Sequence, residues 1–162
     1  MKIAIIYDTD TGNTKKMAEI IMQGANSVQG IEAKTFSMND YSIDFLSESK
    51  CVIVGTPTYM TSLTSRTKKW LEELPRDMHM SEKMGGAFAT AAFVHGGGDI
   101  AIRTILDYFM CIGMLTYSGG GAYGQPIIHL GPVAIEEQLE NYYETFTLYG
   151  ERMAKKALEI FG

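Results

Sequence analysis

Three short segments of this 162-residue chain carry side chains whose types and spacing suit chemistry. The first is Thr9-Asp10-Thr11-Gly12-Asn13-Thr14, which lies between an Ile-rich apolar run and an amphipathic stretch. Hydroxyls, a glycine and the unbonded N–H groups of a helix start together make a cradle for an anion. The segment contains no lysine and does not follow the G-x-x-x-x-G-K-[ST] pattern of triphosphate-binding loops. One phosphate monoester therefore suits it better than a triphosphate with magnesium. A plain capped turn is the competing reading, since Thr and Asn are ordinary N-cap residues.

The second segment is Gly55-Thr56-Pro57-Thr58-Tyr59-Met60. Pro57 stiffens the chain as it leaves the sheet, and Tyr59 can offer a flat apolar face to a planar ligand while its hydroxyl stays wet. A surface tyrosine on a turn is the alternative. The third is Thr90-Ala91-Ala92-Phe93-Val94-His95-Gly96-Gly97-Gly98-Asp99. Three consecutive glycines are entropically costly and make sense where backbone passes close to a ligand; a flexible connector is the alternative. Asp99 is expected to cap the following helix. His95 has two readings, a hydrogen bond to a bound cofactor or its substrate, or satisfaction of a turn.

The elements that must position these loops alternate along the chain. Residues 2–7, 31–36, 51–55, 86–90 and 114–118 read as strands, the last resumed near Ile127-Ile128. Helices are expected after the first loop (Met17, Ile21, Gly24, Ala25 and Val28 at helical spacing), at about 64–74 before Pro75, at about 99–112 before Gly113, and from about 135 to 160 with a break near Gly150. Leu139, Tyr142, Phe146, Tyr149, Met153 and Ala157 line one face of the last helix, as core or as a contact between subunits. Strand–helix alternation of this kind implies a parallel sheet with helices on both faces in one domain, residues 1–162. Ligands of such sheets sit beyond the carboxyl ends of the strands, where the strand order reverses. The loops after strands one, three and four are the three described above.

Bulk properties remove several classes. A net charge of −5 argues against nucleic-acid binding, which needs a basic face. No apolar run approaches the roughly 20 residues of a membrane span. The start, Met1-Lys2-Ile3-Ala4-Ile5-Ile6, lacks the parts of a signal peptide. A cytoplasmic protein is therefore expected. Cys51 and Cys111 are 60 positions apart, form no C-x-x-C pair and read as buried, inert thiols, which leaves no intrinsic metal site. A phosphoacceptor receiver domain would need an Asp ending the third strand, where Gly55-Thr56-Pro57 stands.

Thr9 to Thr14 resembles the T-x-T-G-x-T phosphate loop of flavodoxins, in the expected place after the first strand. The resemblance implies a flavodoxin-like three-layer α/β sandwich, a five-stranded parallel sheet of order 2-1-3-4-5 and one FMN. It places the FMN phosphate at Thr9, Thr11, Gly12, Asn13 and Thr14, with Asp10 contributing only its backbone N–H. It places the ring at Pro57, Thr58, Tyr59 and Met60 and at Thr90, Ala91, Ala92, Phe93, His95, Gly96, Gly97 and Gly98.

Gly96-Gly97-Gly98-Asp99, Gly113-Met114, Gly119 to Gly124 and Tyr149 to Ala154 also resemble the WrbA-type NAD(P)H:quinone oxidoreductases. That implies transfer from NAD(P)H to a quinone or similar small acceptor, with the flavin rather than a side chain doing the chemistry and a possible homo-oligomer. The alternative is a flavodoxin carrying single electrons between redox protein partners. Three positions depart from the WrbA pattern: Thr58 precedes Tyr59, Cys111-Ile112 replaces a histidine pair, and Asp77-Met78-His79-Met80 forms a shorter segment. Met60-Thr61-Ser62 after Tyr59 contains neither the glycine nor the asparagine that eases a peptide turn beside the flavin of a carrier, which together with the mild charge leans towards two-electron chemistry.

Overall fold

The computed structural model describes residues 1–75 and 78–162; Asp77 of the shortened segment lies outside them. Three buried strands form the centre: β1 (Lys2–Tyr7), β3 (Cys51–Tyr59) and β5 (Met84–Ala91). Their near-continuous apolar runs are those of parallel strands covered on both faces. With β2 (Glu32–Ser37) and β6 (Leu115–Thr116) they give the order β2-β1-β3-β5-β6, the expected 2-1-3-4-5. Two short strands are added: β4 (Ser62–Leu63) returns antiparallel on β3, and β7 (Val133–Ile135) pairs parallel with β5.

Alternation along the strands sends Ile3, Ile5, Cys51, Ile53 and Phe88 to one face, under α1 (Asn13–Asn26) and α5 (Tyr143–Phe161). Ala4, Ile6, Val52, Val54 and Ala87 go to the other face, with α2 (Ile43–Glu48), α3 (Ser65–Glu73) and α4 (Gly98–Cys111). Phe146 and Tyr149 of α5 are fully buried, which makes that face core. Burial pushes the Cys51 thiol up, in keeping with an inert group. Cys111, by contrast, is exposed at the end of α4.

The last third of the chain departs from expectation in three ways. Residues Glu136–Tyr142 wind as a 3₁₀ segment with Gln138 out of helical geometry, so α5 starts at Tyr143 rather than near 135. The fifth strand resumes at Val133–Ile135, not at Ile127-Ile128; Ile128 makes only an isolated bridge to Gly120. Between β6 and β7, residues 117–132 leave the sheet and are gathered by the buried Arg152. Its Nη1 donates to the carbonyls of Gly120 (2.8 Å) and Pro126 (2.6 Å), and its Nη2 to that of Gly124 (2.9 Å).

Finally, α5 runs unbroken through Gly150. A Cβ there would fall 2.0 Å from the Ile21 carbonyl oxygen, and one on Gly24 2.0 Å from that of Thr147. These two glycines let the backbones of α1 and α5 touch, a close approach that outweighs the cost of about 1 kcal/mol for glycine inside a helix. Gly150→Ala is expected to lower the unfolding free energy by about 3 kcal/mol, despite alanine's better helix propensity. Urea denaturation of the apoprotein measures it.

Candidate functional site

In register, Tyr7 stands beside Gly55, and Gly55, Thr56 and Pro57 stand beside Phe88, Ala89 and Thr90. The three central strands therefore end at one edge, and the three loops of interest converge there. In the first loop, the N–H of Gly12 donates to Thr9 Oγ1 (3.0 Å), and Lys16 N–H makes the first helical bond back to the Gly12 carbonyl (2.9 Å). Gly12 holds the N-cap position at φ 92°, a left-handed geometry that suits glycine, and no side chain caps the helix. The capped-turn alternative thus fails. The N–H groups of Asn13, Thr14 and Lys15 precede that first bond and remain available to an anion. The buried Thr14 Oγ1 lies 2.8 Å from Thr90 Oγ1 and fastens this loop to the end of β5.

The second loop is still sheet at Pro57, which pairs with Thr90; β3 leaves only after Tyr59. There the chain reverses through Met60 (φ 50°) and Thr61 (φ 68°), joining Tyr59 to its partner Ser62. Both central residues at positive φ is the arrangement of a type I′ hairpin turn, normally made by Asn-Gly. The turn that glycine or asparagine would ease is thus made without either. Thr58 Oγ1 is buried and has no hydrogen-bond partner among the described residues.

In the third loop, Thr90 and Ala91 are buried at the end of β5, while Ala92 to His95 are exposed. The rings of Phe93 and His95 stack, 5.8 Å between centroids and 8° between planes. Gly97 (φ 93°), not Asp99, takes the N-cap position of α4; Asp99 sits in the first turn. A Cβ on Gly97 would fall 2.5 Å from the Thr61 carbonyl oxygen, and one on Gly98 2.6 Å from Val133. These two glycines are accounted for by packing of the third loop on the hairpin turn and on β7.

Between the second and third loops lies an open cavity of about 490 Å³, lined by Thr58, Tyr59, Met60, Thr61, Ala91, Ala92, Phe93, His95 and Gly96. Its rim carries exposed apolar side chains, with Met60 95 % and Phe93 64 % accessible. Thr58, whose hydroxyl is buried and unpartnered among the described residues, is one of the lining residues, and the uncapped start of α1 lies at the same strand edge. An apolar slot for a ring and a neutral cradle for a phosphate are what FMN requires.

Sequence reasoning missed a polar network beside the cavity. Asp8 follows β1, is 5 % accessible, and accepts from Thr64 Oγ1 (2.6 Å) and Arg66 Nε (2.9 Å). Arg66 Nη2 donates to Asp10 Oδ1 (2.8 Å), and Tyr59 Oη donates to Asp10 Oδ2 (2.7 Å). Asp10 therefore contributes its carboxylate within the fold, not its backbone alone. The signal was present: a carboxylate directly after a buried strand requires a cation or several donors, and Arg66 opens α3. Among the described residues no group of three or more His, Cys, Asp or Glu could hold a metal, and no helix is long and apolar enough to cross a membrane.

The family model for flavodoxin matches residues 5–101. The flavodoxin of Clostridium saccharobutylicum is 44% identical over 161 residues, covering 99% of this chain and 100% of the relative. The chain belongs to the flavodoxin family. FMN is accordingly its cofactor, and electron transfer its general role. A WrbA-like flavodoxin from Agrobacterium tumefaciens shares the fold, with a TM-score of 0.80 over 98% of both chains at 24% identity. An NAD(P)H dehydrogenase (quinone) of Cupriavidus metallidurans is 25% identical over 203 residues, covering 99% of each protein.

Two outcomes are expected for this flavodoxin-family site. Thr61→Gly, which relieves a β-branched residue at positive φ, should raise apoprotein stability by about 1 kcal/mol in urea denaturation. The hydrogen bond to Asp10 pushes the Tyr59 phenol up to about 12, and the same bond, with Arg66, holds the Asp10 carboxyl below its ordinary range. Neutral phenol and ionised carboxylate are the favoured forms, so the tie is complete between about pH 4 and about pH 10. It is lost as pH rises through the phenol's raised value or falls through the carboxyl's lowered one. Ultraviolet titration of the phenols should show one of the late-ionising phenols, near pH 12 in the native protein, moving earlier in Asp10→Asn while the others stay put.

Proposed function

We propose that this chain, as one domain spanning residues 1–162, carries electrons between redox protein partners in the cytoplasm through one bound FMN. The first-turn amides of α1 with Thr9, Thr11, Gly12, Asn13 and Thr14 would hold the phosphate. Thr58, Tyr59 and Met60 on one side, and Thr90 to Phe93 with His95 and Gly96 on the other, would flank the ring. When bound, FMN supplies reversible one- and two-electron chemistry that no side chain can. Met60, Ala91, Ala92 and Phe93 on the cavity walls would exclude water from a bound ring.

The observation that carries the reading is the character of the cavity mouth. Met60 and Phe93 stand exposed on it, and among the described residues no lysine or arginine lines the cavity. Arg66, beside the second loop, is committed to Asp8 and Asp10. A dinucleotide would find no cation for its pyrophosphate, whereas an apolar rim suits a protein surface. The left-handed Met60-Thr61 turn removes the objection that a carrier's turn needs glycine or asparagine, and the 44% identical relative supports the same role.

A second reading, transfer from NADH or NADPH to a quinone, is favoured by His95. Its ring edges the cavity, makes no hydrogen bond among the described residues, and could donate to a quinone oxygen. The 25% identical relative supports this second reading. Anaerobic reductive titration of the FMN-loaded protein separates the two. The carrier reading expects two resolved one-electron steps and negligible oxidation of either nicotinamide in the presence of benzoquinone. Rapid turnover with NADPH and benzoquinone, together with a single two-electron step, would establish the reductase instead.

A further inference from the structure

We propose that Asp10 and Arg66 are positioning residues that lock the Tyr59 ring at the cavity mouth, and thereby set how tightly FMN is held and at what potential it is reduced. The proposal rests on the FMN reading and concerns how this chain presents one wall of the ring site.

Tyr59 needs a lock. It is the last residue of β3, exposed, and belongs to neither buried cluster. Packing alone leaves such a ring free to change rotamer. What holds it is a relay of hydrogen bonds that begins in the interior and ends at the surface. The innermost member is Asp8, fixed by Thr64 Oγ1 at 2.6 Å. Asp8 accepts from Arg66 Nε at 2.9 Å (Oδ1) and 3.2 Å (Oδ2). The guanidinium is planar and rigid, so seating Nε on Asp8 also aims Nη2. Nη2 meets Asp10 Oδ1 at 2.8 Å, and Asp10 Oδ2 accepts a hydrogen bond from the Tyr59 hydroxyl at 2.7 Å. Because Asp10 belongs to the first loop and Tyr59 to the second, the last bond ties the phosphate cradle to the wall of the ring site.

Charge supports the same role. Asp8, Asp10 and Arg66 sum to one net negative charge beside a cradle meant for an anion, where a carboxylate works against the ligand. Asp10 is thus poorly placed to help the phosphate and well placed to hold Tyr59. The raised phenol and lowered carboxyl described above belong to a bond intact at neutral pH.

The test compares Asp10→Ala, Asp10→Asn, Tyr59→Phe and the Asp10→Ala/Tyr59→Phe pair, with both FMN and riboflavin as ligands. Asparagine keeps a group that can accept from Arg66 and donate to the Tyr59 oxygen, but removes the charge. Asp10→Ala should weaken FMN and riboflavin alike by about tenfold, the loss of one charge-assisted bond. It should also relieve the quenching of flavin fluorescence and shift the midpoint potential. Asp10→Asn should keep riboflavin affinity within about twofold of wild type and shift the potential less than Asp10→Ala does. In the Tyr59→Phe background, Asp10→Ala should add nothing.

Tighter FMN binding in Asp10→Ala, a potential shift in Asp10→Asn equal to that in Asp10→Ala, or full additivity with Tyr59→Phe would each overturn the proposal. They would assign Asp10 to charge or to local stability instead. Should Asp10→Ala fail to fold, Asp10→Asn and an Arg66→Lys variant, which loses the fork but keeps the charge, decide by the same criteria. Wild-type protein that takes up neither flavin would overturn the FMN reading itself, and the phenol titration of the apoprotein still reports whether the tie exists.

Discussion

Amide groups at the start of an α-helix have no carbonyl one turn earlier to bond, and at α1 the chain supplies no side chain in its place. Much of the site's architecture keeps that arrangement intact. Gly12 takes a left-handed conformation so that the loop can turn beneath the helix, Thr9 satisfies the glycine's own N–H, and the Thr14–Thr90 pair holds the helix start against the end of β5. The N–H groups left over are unmet bonding capacity that a phosphate-bearing ligand can meet. FMN bound as proposed would complete a hydrogen-bond pattern the protein leaves open.

Parallel strand geometry decides where the open pattern meets an apolar slot. In-register pairing of β1, β3 and β5 brings three loops to one edge, each contributing something the others lack. The first brings amides, the second an aromatic wall and a tight reversal, the third an exposed Phe93–His95 stack. Two of the consecutive glycines belong to this assembly rather than to a ligand. Gly97 lets the third loop press on the Thr61 backbone, so the two walls of the cavity brace each other.

How far the sequence foretold this depends on how local each determinant is. The long strands, α1, α3 and α4 follow from periodicity within their own segments, and the first loop from residue types alone. The six-residue α2, capped by Ser42, is too short to show a period. Strand β4 was hidden because its turn uses Met60-Thr61, which no turn preference suggests. Ile127-Ile128 and Val133-Ala134-Ile135 are equally strand-like in isolation. The choice between them is made by Ala89, Thr90 and Ala91 on the neighbouring strand, and no window of local sequence contains both sides. For the Asp8–Arg66–Asp10–Tyr59 relay the sequence shows the need, a carboxylate directly after a buried strand, but not the partners, since its members lie up to 58 positions apart.

The excursion that divides the fifth strand has a consequence for how copies of this molecule behave towards one another. An uninterrupted outer strand would present a ladder of bare amides and carbonyls on which a neighbouring chain could build. Here that border is reduced to the two residues of β6 and the three of β7, with the Arg152-bound loop between them. On the opposite border, β2 carries Glu32 and Lys34, charges that resist burial beneath an incoming strand. Both margins of the sheet are therefore poor templates, one through brevity and the other through charge.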